Sequence, residues 1–297
     1  MFDTFKNRLE ITGTLTTVTA LRISAGRSSE PIGSDLPVIK DVLGQPLIPG
    51  SSFKGALRSR LESFLRGILG NNRKLVGNPA VNDEWSLTYQ ELSQFKKNPL
   101  KNIKQEEKED SLNSFILSNT DLVSHLFGSP WIASKFQVRD LTVLPDAWFG
   151  QYQERDGVAI DRDTETAADS KLYDYQVVPA GTPFEFKAIV ENAKDWELGL
   201  LMIGLHQFET EQIPLGGGRS RGLGVVKLEI DKMRWVDVED NPKFLLEYLE
   251  KLVKEDETAY EDATDYKDEW VRQLIDRLKK LIDENLKVSN VPSVESQ

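Results

Sequence analysis

Glu211 to Gly224 reads EQIPLGGGRSRGLG, five glycines in fourteen residues, with Arg219 and Arg221 among them. Glycine lets backbone N–H groups approach a ligand closely and adopts positive φ without steric cost. Arginine supplies forked donors that match phosphate oxygens. Gly216, Gly217, Gly218, Arg219, Ser220, Arg221 and Gly222 are therefore candidates for gripping an anion. A flexible turn with two solvated arginines is the alternative. The segment has no Gly-Lys-Ser/Thr, so it is not a P-loop. It follows a helical pattern and precedes a strand, the wrong order for a dinucleotide fingerprint. A second cationic set opens GSSFKGALRSRLESFLRGIL, from Gly50 onward. Ser51 or Ser52 suits a helix N-cap, where a hydroxyl accepts from an otherwise unpaired N–H. Lys54, Arg58 and Arg66, with Glu62 between them, line one face beside a helix start that already favours anions. Such a face is either a phosphate site or simply solvated.

Other chemistries are poorly supplied. There is no cysteine, so disulfides and thiolate metal sites are excluded. His125 and His206 are the only histidines, too few for a zinc site or a two-histidine nuclease. His206 lies in an apolar helical run and reads as a core residue, and His125 precedes Leu-Phe-Gly and reads as a packing residue. The 297 residues are 39% apolar and 29% charged, as in a water-soluble globular chain. No run approaches the roughly 18 apolar residues of a membrane span. The N-terminus, MFDTFKNRLE, lacks the apolar core of a signal peptide. A cytoplasmic protein without a membrane partner is expected. The net charge of −11 argues against nucleic acid, but its distribution does not. Residues 1–75 hold 11 Lys/Arg against 6 Asp/Glu, whereas residues 231–297 hold 11 against 18.

The elements that would position these groups follow from periodicity. Arg8 to Val18 alternates as a half-buried strand and leads into a small-residue loop, Ser24 to Val38. The helix after Gly50 predicts a buried stripe of Phe53, Leu57, Leu61, Phe64, Leu65 and Ile68. Residues 70 to about 115 turn polar and read as a partly mobile insertion. A short helix should end at Gly128. A strand is predicted over Phe136–Leu144, a hairpin-like projection over Val158–Tyr175, and a strand over Thr182–Val190. A second helix is predicted over Asp195–Phe208 and a last strand over Val225–Ile230. With the insertion set aside, the order is strand, helix, strand, strand, helix, strand, an α+β ferredoxin-like order. An acidic tail from about Asn241 predicts two more amphipathic helices. In this fold Ser51–Arg58 and the glycine loop can share one surface, a groove that tracks a nucleic-acid backbone.

Four segments in sequence carry a further signal: IGSDLPVIKDVLGQPLIPGSSFKGALRSRLE, HLFGSP, VAIDRDTETAADSKLYDYQVVPAGTPFEF and PLGGGRSRGLGVVKL. Together they resemble the RAMP superfamily, most closely the repeated backbone subunits of type III CRISPR effector complexes. The resemblance covers roughly residues 8–235 and leaves out the 70–120 insertion and the acidic tail. It implies a modified RNA-recognition-motif palm over 1–235 with a thumb hairpin at about 155–177; the acidic helical extension over 236–297 is read from its own periodicity. It implies CRISPR RNA and target RNA as partners, with paralogous backbone subunits, a small subunit and a large subunit. The first helix and the glycine loop would contact guide phosphates. Ile160 to Arg162, Ile-Asp-Arg, matches the thumb that kinks the guide–target duplex. Asp35, in GSDLPV, matches the aspartate that cleaves target RNA in the nuclease-active members.

The chemistry asked of Asp35 is modest. RNA carries its own nucleophile, the 2′-hydroxyl, and splaying a nucleotide brings that oxygen into line, so orientation supplies much of the rate. One carboxylate can accept the hydroxyl proton or hold a divalent cation, Mg2+ or Mn2+, against phosphorane charge. Asp41 is the rival carboxylate, but its place before VLGQPL suits turn capping. The alternatives are a structural guide-binding subunit with an inert Asp35 and an enzyme that processes precursor repeats. The latter often relies on histidine.

Overall fold

The computed structural model describes residues 4–26, 36–99, 103–104, 107–157, 173–238 and 241–289. The period-two pattern near the start forms strand β1, Asn7–Thr17. Leu9, Ile11 and Leu15 point inward and are fully buried. Gly13 has the same parity, and a side chain is excluded there because a Cβ would lie 2.3 Å from the Glu229 carbonyl oxygen. The short β2, Leu47–Ile48, precedes helix α1, Gly50–Leu69.

Neither predicted serine caps α1. The N-cap is Pro49, which offers no side-chain acceptor. The Gly50 N–H donates instead to Asp140 Oδ1 at 2.8 Å. Gly50 allows that approach, since a Cβ would sit 2.6 Å from the Val138 carbonyl oxygen. Ser51 and Ser52 fall in the first turn. Phe53, Leu57, Leu61 and Leu65 are buried as predicted, but Phe64 and Ile68 stay 36% and 46% exposed, on the edge of the stripe.

The described part of the predicted insertion is structured. Helices α2, Tyr89–Lys97, and α3, Lys108–Ser118, stack Phe95 on Phe115 at 3.8 Å. Helix α4, Leu122–Phe127, ends at Gly128 as predicted. The strand predicted over 136–144 is two strands, β3, Phe136–Val138, and β4, Leu141–Thr142. The break lies where Asp140 turns to the start of α1, and β4 pairs with β2. Strands β5, Gln153–Gly157, and β6, Tyr173–Val177, pair antiparallel as a thumb root. Ile160 and Arg162 lie outside the described residues.

Strand β7, Pro183–Glu191, helix α5, Asp195–Glu209, and strand β8, Val226–Asp237, complete the order. The sheet runs β3-β7-β1-β8, antiparallel throughout, the strand arrangement of a ferredoxin-like fold. Phe53 of α1 stacks on Phe208 of α5 at 4.3 Å and meets Phe186 of β7 at 5.0 Å. Burying one such ring stabilises by roughly 1.5–3 kcal/mol, so this triad ties both helices to the sheet.

The tail is not a separate extension. The predicted boundary between 235 and 236 falls inside β8, and strand β9, Glu261–Asp262, adds to the sheet beside it. Helix α6, Pro242–Val253, lies between them, and α7, Lys267–Ser289, packs on α5. Among the described residues no helix is long and apolar enough to cross a membrane.

Candidate nucleic-acid interface

An open groove separates one face of α1 from the loop after α5. On the helix side it is lined by Ser51, Ser52, Gly55, Ser59, Arg60 and Ser63. These positions recur at helical spacing and are small or polar, so the helix presents hydroxyls and bare backbone rather than bulk. On the loop side stand Pro214, Gly216 and Arg219. The two elements predicted to share a surface therefore do so.

The loop is held in shape by its glycines. Gly216 has φ 72, and a Cβ on it would lie 2.1 Å from the Arg22 carbonyl oxygen. Gly217 N–H donates to that same oxygen at 2.9 Å, while the outer side of Gly217 is open. Gly218 and Gly222, both left-handed, bracket a single helical turn, Arg219–Arg221. This turn exposes Arg219, Ser220 and Arg221. Arg219 Nε donates to the Gly216 carbonyl at 3.2 Å, and Arg221 Nη1 to the Tyr173 hydroxyl at 2.9 Å. The loop is thus a built turn carrying exposed guanidinium groups.

Lys54 and Arg58 are on the wrong side of the helix. Lys54 is two positions past Ser52, about 200° around the axis. Its ammonium donates to Ser134 Oγ at 2.6 Å and to the Phe136 carbonyl at 3.2 Å. Burial, then the nearby Arg58 charge, lowers its pKa. Arg58 donates to Glu62, the Gly128 carbonyl and Ser124. Glu62 is buried and also takes Arg66. These cations hold α1 to the 124–136 segment and do not reach the groove.

The cation that does reach it from the helix is Arg60, absent from the sequence-based candidates. Its Nη2 donates to the Gln212 carbonyl at 2.6 Å, and its guanidinium lies 5.6 Å from the Phe64 ring. Arg22 lies behind the loop: its carbonyl takes the Gly217 N–H, its guanidinium rests 4.7 Å over Tyr175, and its Nε is buried without a partner among the described residues. The i, i+1 offset of Arg60 from the small-residue face was the available signal in the sequence.

Asp35 lies outside the described residues. Its neighbour Leu36 pairs with the thumb root: Leu36 N–H donates to the Asp174 carbonyl at 3.2 Å, and Gln176 N–H to Leu36 at 3.1 Å. Asp41 caps a turn as expected, its Oδ1 accepting from the N–H groups of Leu43 and Gln45. His125 packs edge-on against Trp196, as expected. Burial, with Lys135 and Lys194 adding to it, lowers its pKa to about 4. His206 is not a core residue: its side chain is exposed and contacts Glu209 at 3.1 Å. Among the described residues no group of three His, Asp or Glu side chains could hold a metal ion.

The RAMP superfamily model matches residues 14–227. The chain is 25% identical over 229 residues to the CRISPR system Cms endoribonuclease Csm3 of Enterococcus italicus, covering 76% of this chain and 92% of that relative. A shorter match, 50% identical over 56 residues, is to the protein of the same name from Mycobacterium tuberculosis and covers 18% of this chain and 24% of that relative.

Proposed function

Because the chain belongs to the RAMP superfamily, we propose that it is a CRISPR RNA-binding backbone subunit of a type III antiviral effector complex that cleaves guide-complementary target RNA at regular intervals. The groove carries the proposal: it sets Arg60 and Arg219 across from each other over a floor of serines and glycine. Arginine forks and hydroxyls suit successive phosphates of a single strand. Arg221, and the open backbone at Gly217, would extend that grip.

Asp35 would accept the proton of a target 2′-hydroxyl. The freed oxygen attacks the adjacent phosphorus, the bond to the 5′-oxygen breaks, and that oxygen takes a proton from solvent. The attachment of Leu36 to β6 supports this assignment, since it joins the Asp35 loop to the thumb that would splay the nucleotide. One carboxylate is not by itself a metal site. A requirement for Mg2+ or Mn2+ is proposed and is read by adding chelator to the cleavage assay. The remaining partners are paralogous backbone subunits, a small subunit and a large subunit, in the cytoplasm.

The test compares wild type with Asp35→Ala, each loaded with guide RNA, on complementary target and on unpaired repeat RNA. Loss of regularly spaced cuts with guide binding intact is expected. Unchanged cutting removes Asp35 from the chemistry. No cutting by wild type leaves a structural guide-binding subunit, and cutting of repeat RNA instead marks a processing enzyme.

A further inference from the structure

The loop between β4 and β5 contains Trp148, Phe149 and Tyr152, which the groove does not use. Asp146, with φ 60, and Gly150, with φ 80, bracket the first two. A positive φ at a non-glycine residue is uncommon, so the backbone is bent here against its preference. The bend sets Trp148 5.4 Å from Phe149 at an interplanar angle of 28°, and 4.8 Å from Tyr152. Trp148 and Tyr152 pack against the core, whereas Phe149 is 64% exposed. Tyr152 is pinned by its hydroxyl, which donates to the Gly44 carbonyl at 2.7 Å. Lys40 Nζ lies 4.3 Å from the same ring.

This is a short ladder of rings with a fixed inner end and an open outer end. Aromatic ladders continue by adding a flat partner in offset contact. The loop is also connected to the groove through neighbouring backbone. Gly217 bonds to Arg22, Ile39 to Ile23, and Leu47 to Ile39, and Tyr152 then reaches Gly44. These bonds link the loop that carries the ladder to the backbone on which the Gly216–Arg219 turn rests. A strand whose phosphates sit in the groove would bring bases, which are flat and need no sequence-specific contact, to the ladder.

We propose that Trp148, Phe149 and Tyr152 form a stacking surface for an unpaired base of the RNA strand held in the groove, with Phe149 making the contact. The proposal rests on the guide-binding reading above. A rival occupant is a protein partner, because Val42 and Leu43 on the same Gly44 turn are also exposed. The ring ladder, a lysine over it and its continuity with the groove favour a base.

The experiment uses the full chain and guide RNAs carrying 2-aminopurine at successive positions. Wild type should quench the probe at one position per bound subunit. Phe149→Ala should abolish that quenching and weaken guide binding by about 5- to 150-fold, the range for one base–aromatic stack. Its salt dependence should not change, since stacking releases no counterions. Phe149→Tyr should retain both signals. Arg60→Ala should lower the salt slope yet keep the quenching once RNA saturates the protein, so the two readings fail separately. Unaltered quenching and affinity in Phe149→Ala overturn the proposal. Intact guide binding with loss of association to other subunits overturns it in favour of a protein contact. If wild type binds no guide, both readings fall.

Discussion

Arg221 Nη1 donates to the Tyr173 hydroxyl at 2.9 Å, joining the glycine turn to the first residue of β6. The Tyr173 ring lies over Gly157, where a Cβ would meet it at 2.3 Å, so the lack of a side chain at 157 gives the ring its place. The glycine turn and the root of the β5–β6 hairpin therefore share one hydrogen bond. Arg221→Ala and Tyr173→Phe should each disturb guide-directed target cleavage, and the double variant should be no worse than the poorer single. Additive losses across that cycle would mean the two residues act independently.

Arg60 and Arg219 approach the groove from opposite walls. If each neutralises one phosphate of a single strand, alanine at either should cut the slope of log K against log salt by about 0.7, and the pair by about twice that. Lys54→Met and Arg58→Met should leave the slope unchanged, because both side chains are spent on internal acceptors. Titrations of labelled guide RNA at several salt concentrations read all five variants. A slope that follows Arg58 rather than Arg60 would place the RNA on the other face of α1.

That contrast marks what the sequence made legible. Alternation at Leu9, Ile11 and Leu15, and helical spacing at Phe53, Leu57 and Leu61, are local signals, and the structure realises both. The convergence of α1 with the glycine loop followed from the order of elements. Which cations of α1 face the groove did not, because that depends on Ser124, Gly128 and Ser134, more than sixty residues away. The capping of α1 by Asp140 is non-local in the same way. The tail's contribution to the sheet was hidden because β9 is only two residues long, too short for any period.

His125 gives the fold a pH dependence with a definite sign. Its pKa is pulled to about 4 by burial, reinforced by Lys135, Lys194 and Arg277 and opposed by Asp121. An unfolded histidine titrates near 6.5. Between those values the unfolded chain binds the proton and the folded chain does not. The stability is fully present above about pH 6.5 and is lost as pH falls toward 4. From pH 7 to 5 the loss from this group should be about 2 kcal/mol. His125→Gln should flatten that part of the profile, measured as unfolding free energy from urea titrations. An unchanged profile would assign the acid sensitivity to other groups.

Gly199 decides whether α7 can dock. It sits mid-helix in α5, where a glycine costs about 1 kcal/mol relative to alanine, so the packing there must compensate. A Cβ at this position would lie 2.0 Å from the Trp270 carbonyl oxygen and 3.1 Å from Leu274. The first contact is backbone, so no side-chain rotation relieves it. Trp270 also meets Trp235 of β8 edge-on at 5.5 Å, so lifting α7 uncovers the sheet as well. Gly199→Ala should gain helix propensity in α5 yet lower overall stability by about 1–3 kcal/mol, the usual cost of overpacking. Hydrogen exchange should show where the loss falls: amides of 267–284 should exchange faster, while those of β1 and β7 keep their protection. Uniform loosening across the sheet would mean that the tail and the palm unfold as one unit, and unchanged exchange in α7 would mean that the helix tolerates the shift.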